Sequence, residues 1–159
     1  MRTEQRHRDL ESTLKAIHPS LPVAPPVESR KDAFEITTDR ANYFQVIQAL
    51  KEKSGFEWFT DLCGMDHLGQ NRPKRFEVVT HLYAPNTNDR VRIRTPVAEG
   101  ESVASLTPLW RGANWFEREL WDMYGIPVDG HPNLERILTH HEFVGHPLRK
   151  DYDAANRCE

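Results

Sequence analysis

The chain has 159 residues, a formal net charge of −3 and a pI near 6.2. One domain of that length can bury roughly two-thirds of its unfolded surface, so a core needs no disulfide or metal staple. The acidic balance gives no reason to expect nucleic-acid binding, which usually demands a basic patch on a basic domain, and no stretch approaches the ~20 apolar residues of a membrane span.

The mean hydropathy of −0.70 is polar for a free-standing globule. The N-terminus Met1-Arg2-Thr3-Glu4 lacks an apolar signal core, which places the chain in the cytoplasm. Cys63 and Cys158 are the two cysteines. In a reducing compartment they stay thiols, and two thiolates do not make the usual four-ligand iron–sulfur site.

In chain order, residues 4–17 predict a short helix with a stripe of His7, Leu10, Leu14 and Ile17. Pro19, Pro22, Pro25 and Pro26 then predict a stiff linker, so residues 1–30 form an N-terminal helix and Pro-rich connection. Phe34–Thr37 reads as a strand. A helix capped by Thr38 or Asp39 runs to about Lys53, with Tyr43, Phe44, Val46, Ile47 and Leu50 on its apolar face and Gly55 as its stop. Alternation at Phe56, Trp58, Thr60 and Leu62, then at Phe76, Val78, Thr80 and Leu82, then at Val91 and Ile93, predicts three half-buried strands. The turn Pro85–Asp89 joins the last two as an antiparallel hairpin. Residues 31–126 thus read as an α+β, two-layer domain: a small mixed or antiparallel sheet with helices on one face.

Arg90, Arg92 and Arg94 leave one side of the third strand. The plain reading is a solvated face paired with acids such as Glu77 or Glu101; the sharper one is a docking face for an acidic partner.

Asn114-Trp115-Phe116-Glu117 has the form of a capping box for a helix ending at Gly125, before Pro127. Glu119 falls in the middle of an arc made by Trp115, Phe116, Leu120 and Met123. A carboxylate buried there must find a partner or neutralise; a structural ion pair with Arg136 or Arg149 is favoured over a proton-transfer role and over simple exposure at the arc's edge.

From Pro127 to Glu159 apolar periodicity fades, apart from a helical turn or two expected at Asn133–Leu138. Gly130-His131-Pro132 and Gly145-His146-Pro147 repeat one tripeptide. Phe143, Val144, Leu148 and Tyr152 are spaced like anchors, so residues 127–159 are expected to be an extended tail ordered by docking on another protein. The four histidines here, His131, His140, His141 and His146, lack both cysteine companions and an i, i+4 His pair with a catalytic Glu, so a metal site is disfavoured. The chain has no G-x-G-x-x-G, no P-loop and no serine elbow.

Residues 113–153 resemble the C subunit of NADH:quinone oxidoreductase, respiratory complex I. The resemblance is carried by Trp115, Glu117, Arg118 and Glu119, by Asp122 and Gly125, by Gly130-His131-Pro132 with Arg136, and by Gly145-His146-Pro147-Leu148-Arg149-Lys150-Asp151. Asp61-Leu62-Cys63-Gly64-Met65-Asp66 is also similar to the family. His140-His141-Glu142 departs from the family's more usual acidic, aromatic or glycine residues, so no role carries over to it.

The resemblance implies a hydrophilic subunit in the peripheral arm, on the cytoplasmic side of the bacterial inner membrane, touching the membrane only through the complex. It implies no catalytic, cofactor or metal residues on this chain: NADH, FMN, iron–sulfur clusters and quinone belong to the whole complex. It implies a tail that docks on the D subunit, which helps form the quinone pocket, and contacts with other peripheral-arm subunits. Activity is then that of the assembled proton-pumping enzyme, with nothing expected from the isolated chain. The same architecture serves in membrane-bound [NiFe] hydrogenases and related F420- or ferredoxin-linked complexes, which stand as the second reading. A stand-alone histidine-dependent metalloenzyme is the third.

Overall fold

The computed structural model describes residues 2–17, 23–24 and 33–154. In chain order these form α1 (Arg2–Ile17), β1 (Val23–Ala24), β2 (Ala33–Thr37), α2 (Tyr43–Ser54), β3 (Trp58–Asp66), β4 (Phe76–Ala84), β5 (Asp89–Val97), β6 (Val103–Ala104), α3 (Ala113–Tyr124) and β7 (Val128–Asp129). The main sheet has the order β1-β2-β5-β4-β3. It is mixed: β1 pairs antiparallel with β2 (Val23↔Ile36), and β2 lies parallel to β5 (Phe34↔Val91, Ile36↔Ile93). The α+β class read from the sequence is the class observed. No helix among the described residues is long and apolar enough to cross a membrane.

The chain divides into two compact units. The first comprises Met1–Asp61 and Val79–Thr95. In it α2 buries Tyr43, Val46, Ile47 and Leu50, the i, i+3, i+4, i+7 set of one helix face. Facing residues Phe34, Ile36, Val91 and Ile93 are likewise buried. Each such side chain contributes about 1.5–3 kcal/mol. Tyr43 keeps its hydroxyl satisfied in this core by a 2.9 Å hydrogen bond with Thr80. The helix starts later than its predicted cap. Asp39 closes the preceding turn by accepting from the Asn42 N–H at 2.8 Å, and Tyr43 is the first helical residue. It ends as predicted: Gly55 takes φ +76°, and the Phe56 N–H reaches back to the Leu50 carbonyl at 3.1 Å.

The turn at 85–88 joins β4 to β5, a connection short enough only for antiparallel strands. Asn88 sits at φ +59°, a left-handed position that asparagine tolerates. The proline-rich linker lies outside the described residues apart from Val23 and Ala24, which form β1.

The second unit comprises Leu62–Val78 and Pro96–Glu159. Its core gathers Val103, Leu106, Ala113, Leu120, Ile126 and Val128. β6 and β7 pair in parallel, Val103 opposite Val128. α3 stops at Gly125, whose φ of +73° and N–H to the Trp121 carbonyl make the left-handed terminus anticipated before Pro127.

The start of α3 differs from the predicted capping box. Gly112 occupies the cap and Asn114 is already helical. Glu117 does not reach back. It points inward, 1% exposed, and accepts from the Leu106 N–H at 2.5 Å and the Ser105 hydroxyl at 2.7 Å. The loop leading to the helix therefore competes for the carboxylate and wins it. No helical turn forms at 133–138; beyond β7 the described tail is turns, bends and irregular backbone.

Candidate functional site

The motif residues converge on α3 and on the tail that wraps it. Asp122 is the centre. Its carboxylate is wholly buried and accepts at Oδ1 from Arg136 Nη1 (2.6 Å) and the Thr139 hydroxyl (2.5 Å). At Oδ2 it accepts three consecutive backbone N–H groups, those of Ile137 (3.0 Å), Leu138 and Thr139 (both 2.9 Å). Burial pushes this carboxyl upward. The Thr139 hydroxyl and N–H, the Leu138 N–H and the Arg136 guanidinium outweigh that and hold it well below the usual carboxylate range.

Arg136 extends the node. Its Nη2 donates to the Gly145 carbonyl at 3.1 Å, and its guanidinium lies against the rings of Trp121 (5.4 Å) and Phe143 (5.6 Å). His146 Nδ1 meets the Asp122 carbonyl at 2.9 Å; since a carbonyl only accepts, Nδ1 carries the proton. The imidazole lies against Gly125. A Cβ at that glycine would come within 2.6 Å of the His146 ring, so the residue is glycine both for its φ and for the histidine's seat. One turn on, the Leu148 N–H donates to the Met123 carbonyl at 3.0 Å.

Two further clamps flank this node. Arg118 reaches out of α3 to the carbonyls of Glu135 (3.0 Å) and Arg136 (2.9 Å). His131 Nε2 lies 3.2 Å from the Asn114 carbonyl, while its Nδ1 accepts the Asn133 N–H at 3.0 Å, which puts the ring proton on Nε2. Glu117 stands 3.9 Å from that same Nε2. Burial dominates at Glu117 and pushes its carboxyl up, despite the two donors it accepts.

The second clamp starts from Asp66 at the end of β3. Its side chain accepts from the Lys150 N–H (2.9 Å), the Leu68 N–H (2.9 Å) and Arg75 (3.0 and 3.2 Å). Arg75 also bridges Asp151 at 2.6 Å and Glu99 at 3.0 Å. Arg149 pairs with Glu99 and, at 3.1 Å, with Asp151. Both guanidiniums sit over the Phe76 ring, at 4.8 and 5.3 Å. Charges of both signs thus alternate around one aromatic ring. Burial raises the Asp66 carboxyl, but Arg75 and the two N–H groups leave it below its ordinary value. Nearby, Gly64 receives the Tyr124 ring: a Cβ there would lie 2.5 Å from it.

Several expectations change. Glu119 is exposed; the buried carboxylates of α3 are Glu117 and Asp122. Arg136 does form a buried ion pair, but with Asp122, and Arg149 pairs with Glu99 and Asp151. Trp115 is exposed, against the expected apolar arc. Gly130 takes φ +79° in the loop before His131, and Pro132 is exposed. The tail finds partners within its own chain, through backbone and charged groups rather than the apolar surface it lacks. Phe143 and Tyr152 serve it as internal anchors, their rings stacked at 6.0 Å. Sequence reasoning misses Asp66, Arg75, Glu99, Ser105 and Thr139 as site residues, although Asp66 closes a recognisable motif.

The wrapped tail exposes polar and charged side chains such as Glu135, His141, Glu142 and Lys150, and among them three large apolar ones. Leu138, Val144 and Leu148 are 62%, 69% and 51% exposed. These three are held in fixed places by the clamps on either side. The described residues contain no group of three or more His, Cys, Asp or Glu side chains placed to hold a metal ion.

Residues 36–157 match the family model of the respiratory-chain NADH dehydrogenase 30 kDa subunit. The chain is 47% identical over 134 residues to the NADH-quinone oxidoreductase C subunit of Rhizobium rhizogenes, covering 83% of this chain and 66% of the relative. It is 53% identical over 108 residues to the NADH-quinone oxidoreductase C/D subunit of Bdellovibrio bacteriovorus, covering 68% of this chain and 19% of that longer protein. The chain thus spans about two-thirds of the Rhizobium relative and a fifth of the C/D protein. Among solved structures, a chain of the membrane-bound sulfane sulfur reductase, an archaeal respiratory membrane complex, superposes with a TM-score of 0.77 at 18% identity, covering 93% of this chain and 86% of that one, and so shares the fold. With the family match running through both units and every clamp described above, the chain belongs to the respiratory-chain NADH dehydrogenase 30 kDa subunit family.

Proposed function

We propose that this chain is a cofactor-free architectural subunit of the peripheral arm of an NADH:quinone oxidoreductase, and that its wrapped tail is the surface that the D subunit covers. The observation that carries the reading is the exposure of Leu138, Val144 and Leu148 on a segment pinned by Asp122 and Asp66. A single exposed apolar side chain needs no explanation, but three large ones between positions 138 and 148 of one pinned segment supply apolar contacts for a partner to cover. The docking surface is pre-organised: its backbone hydrogen bonds are already made within the chain, so binding bears little of the ordering cost that a free tail would meet. The C/D name of the Bdellovibrio relative, in which the matching region is part of a longer chain, supports the D subunit as the neighbour.

In this reading the chemistry, the redox groups and the quinone belong to the assembled enzyme, on the cytoplasmic side of the bacterial inner membrane. The chain contributes shape. The test replaces Val144 and Leu148 together by glutamate in the tagged chain and measures how much D subunit is recovered on purification. The thermal stability of the isolated chain stays unchanged while that recovery falls at least tenfold. Full recovery of the D subunit with the doubly charged tail would sink the reading.

A further inference from the structure

The first compact unit carries a second surface that the tail reading leaves unused. On β5, Val91, Ile93 and Thr95 are buried, so Arg90, Arg92 and Arg94 project from the opposite face of the sheet. Tyr83 and His81 of β4 and Trp58 of β3 emerge beside them. Trp58, 59% exposed, packs on Tyr83 at 5.7 Å between ring centroids. Arg90 also lies over the Tyr83 ring, at 5.3 Å. Arg92 donates from Nε to His81 Nε2 at 3.0 Å and stands 3.6 Å from Glu35, which also takes Arg94 at 3.3 Å. Asp61 lies at the far side, 3.7 Å from His81 Nδ1.

Three guanidiniums therefore share one strand face, two of them paired with Glu35, in a chain whose net charge is −3. Arg92 and Arg94 are tied to Glu35, while Arg90 is exposed and held by its stacking on Tyr83. The aromatic pair, its rings tilted 58° to one another, supplies apolar surface next to fixed cations, the composition enriched at interface centres.

We propose that this face docks an acidic, extended segment of another protein subunit, lying across Trp58 and Tyr83 with carboxylates reaching Arg90 and Arg92. Arg90 and Arg92 are separated by one strand repeat, about 7 Å, which is also the spacing of alternate side chains on an extended partner. A segment with Asp or Glu at i and i+2 matches both. Arginine is suited to this because its planar fork binds a carboxylate by two parallel hydrogen bonds. A nucleic-acid partner is disfavoured by the acidic balance of the whole chain. This inference concerns a different unit from the tail and stands whether or not the D subunit binds there.

The test replaces Trp58 by the photoreactive aromatic p-benzoylphenylalanine in the tagged chain. The assembly is isolated from its own cells, illuminated, and the cross-linked peptide sequenced. The expected product joins position 58 to another subunit's segment carrying at least two carboxylates at alternate positions. Its yield falls about tenfold on adding Arg90→Glu and is kept with Arg90→Lys, since like charges placed face to face repel. It also falls as salt is raised across the range in which exposed charges are screened, a readout that needs no second substitution. Cross-links confined to lipid, nucleic acid or a second copy of this chain would overturn the proposal. So would a segment without carboxylates, or a yield indifferent to both Arg90→Glu and salt.

Discussion

The carboxylate of Asp122 organises Arg136 and the backbone that follows it. One oxygen takes the guanidinium at 2.6 Å and the other takes three successive N–H groups, so a single buried side chain on α3 fixes residues 136–139. Asp122→Asn keeps the shape but removes the charge and turns an amide donor toward groups that already donate. Breaking such a buried pair typically costs about 3–5 kcal/mol. Chemical denaturation of the full chain is expected to show a loss of that order, and a loss below about 1 kcal/mol would mean that the node is decorative.

Gly64 and Gly125 are two close approaches with different causes. Gly64→Ala places a methyl group in the Tyr124 ring, an overpacking expected to cost about 1–3 kcal/mol. Pairing it with Tyr124→Ala should recover part of that loss, because the two share one steric conflict. Gly125→Ala meets His146 and also a φ of +73°, so His146→Ala should relieve it only in part. Thermal melts of these single and paired variants beside the wild type distinguish the two cases.

The pH dependence has two opposed components. Asp122 and Asp66 are held below their unfolded values, so they favour folding above about pH 4. That contribution is lost as pH falls through the lower folded values. Glu117 is raised by burial. Between its unfolded value of about 4.3 and its raised folded value, the native state holds a proton that the unfolded state has released, and stability declines as pH rises. Glu117→Gln should flatten that decline, leaving only the acid-side loss. Denaturation midpoints measured from about pH 3 to about pH 8 would reveal an unflattened profile if Glu117 were not responsible.

The exposed position of Glu119 makes Glu119→Ala nearly silent, within about 0.5 kcal/mol in stability. Deleting residues 131–159 is a different matter. It strands Asp122 without Arg136, and Asp66 without the Lys150 N–H, so the truncated chain should melt at lower temperature than the full chain. Equal melting temperatures would show that the tail contributes nothing to its own unit.

The sheet and α2 are legible in the sequence because apolar residues repeat at periods of two and 3.6, and Gly55 and Gly125 mark helix ends. Arg136 is legible as a pair partner because a carboxylate on the covered face of α3 must find a cation from the tail or sheet. Its partner is misread for a geometric reason. The arc drawn through Trp115 and Met123 centres on Glu119, whereas α3 buries Ala113, Glu117, Leu120, Asp122 and Met123 and leaves Trp115 outside. Apolar content alone does not report which helix face is covered when the covering segment brings hydrogen bonds instead of side-chain bulk. The same omission makes the tail look unable to settle: Asp122 and Asp66 recruit backbone N–H groups, which no residue pattern displays. The Arg90–Arg94 row is visible as a row, but that Glu35 on the parallel neighbour β2 takes Arg92 and Arg94 depends on strand pairing that the sequence does not display.

Hydrogen exchange on the isolated chain and on the assembled enzyme, read at Ile137, Leu138, Thr139 and Lys150 and across residues 140–149, tests most directly whether the tail is a pre-formed docking surface. The four named amides should exchange slowly in both states, since Asp122 and Asp66 hold them within the chain, while protection across 140–149 should rise on assembly. Free-chain amides exchanging at the rate of an unstructured peptide, and slowing only in the complex, would contradict a tail that is built before its partner arrives.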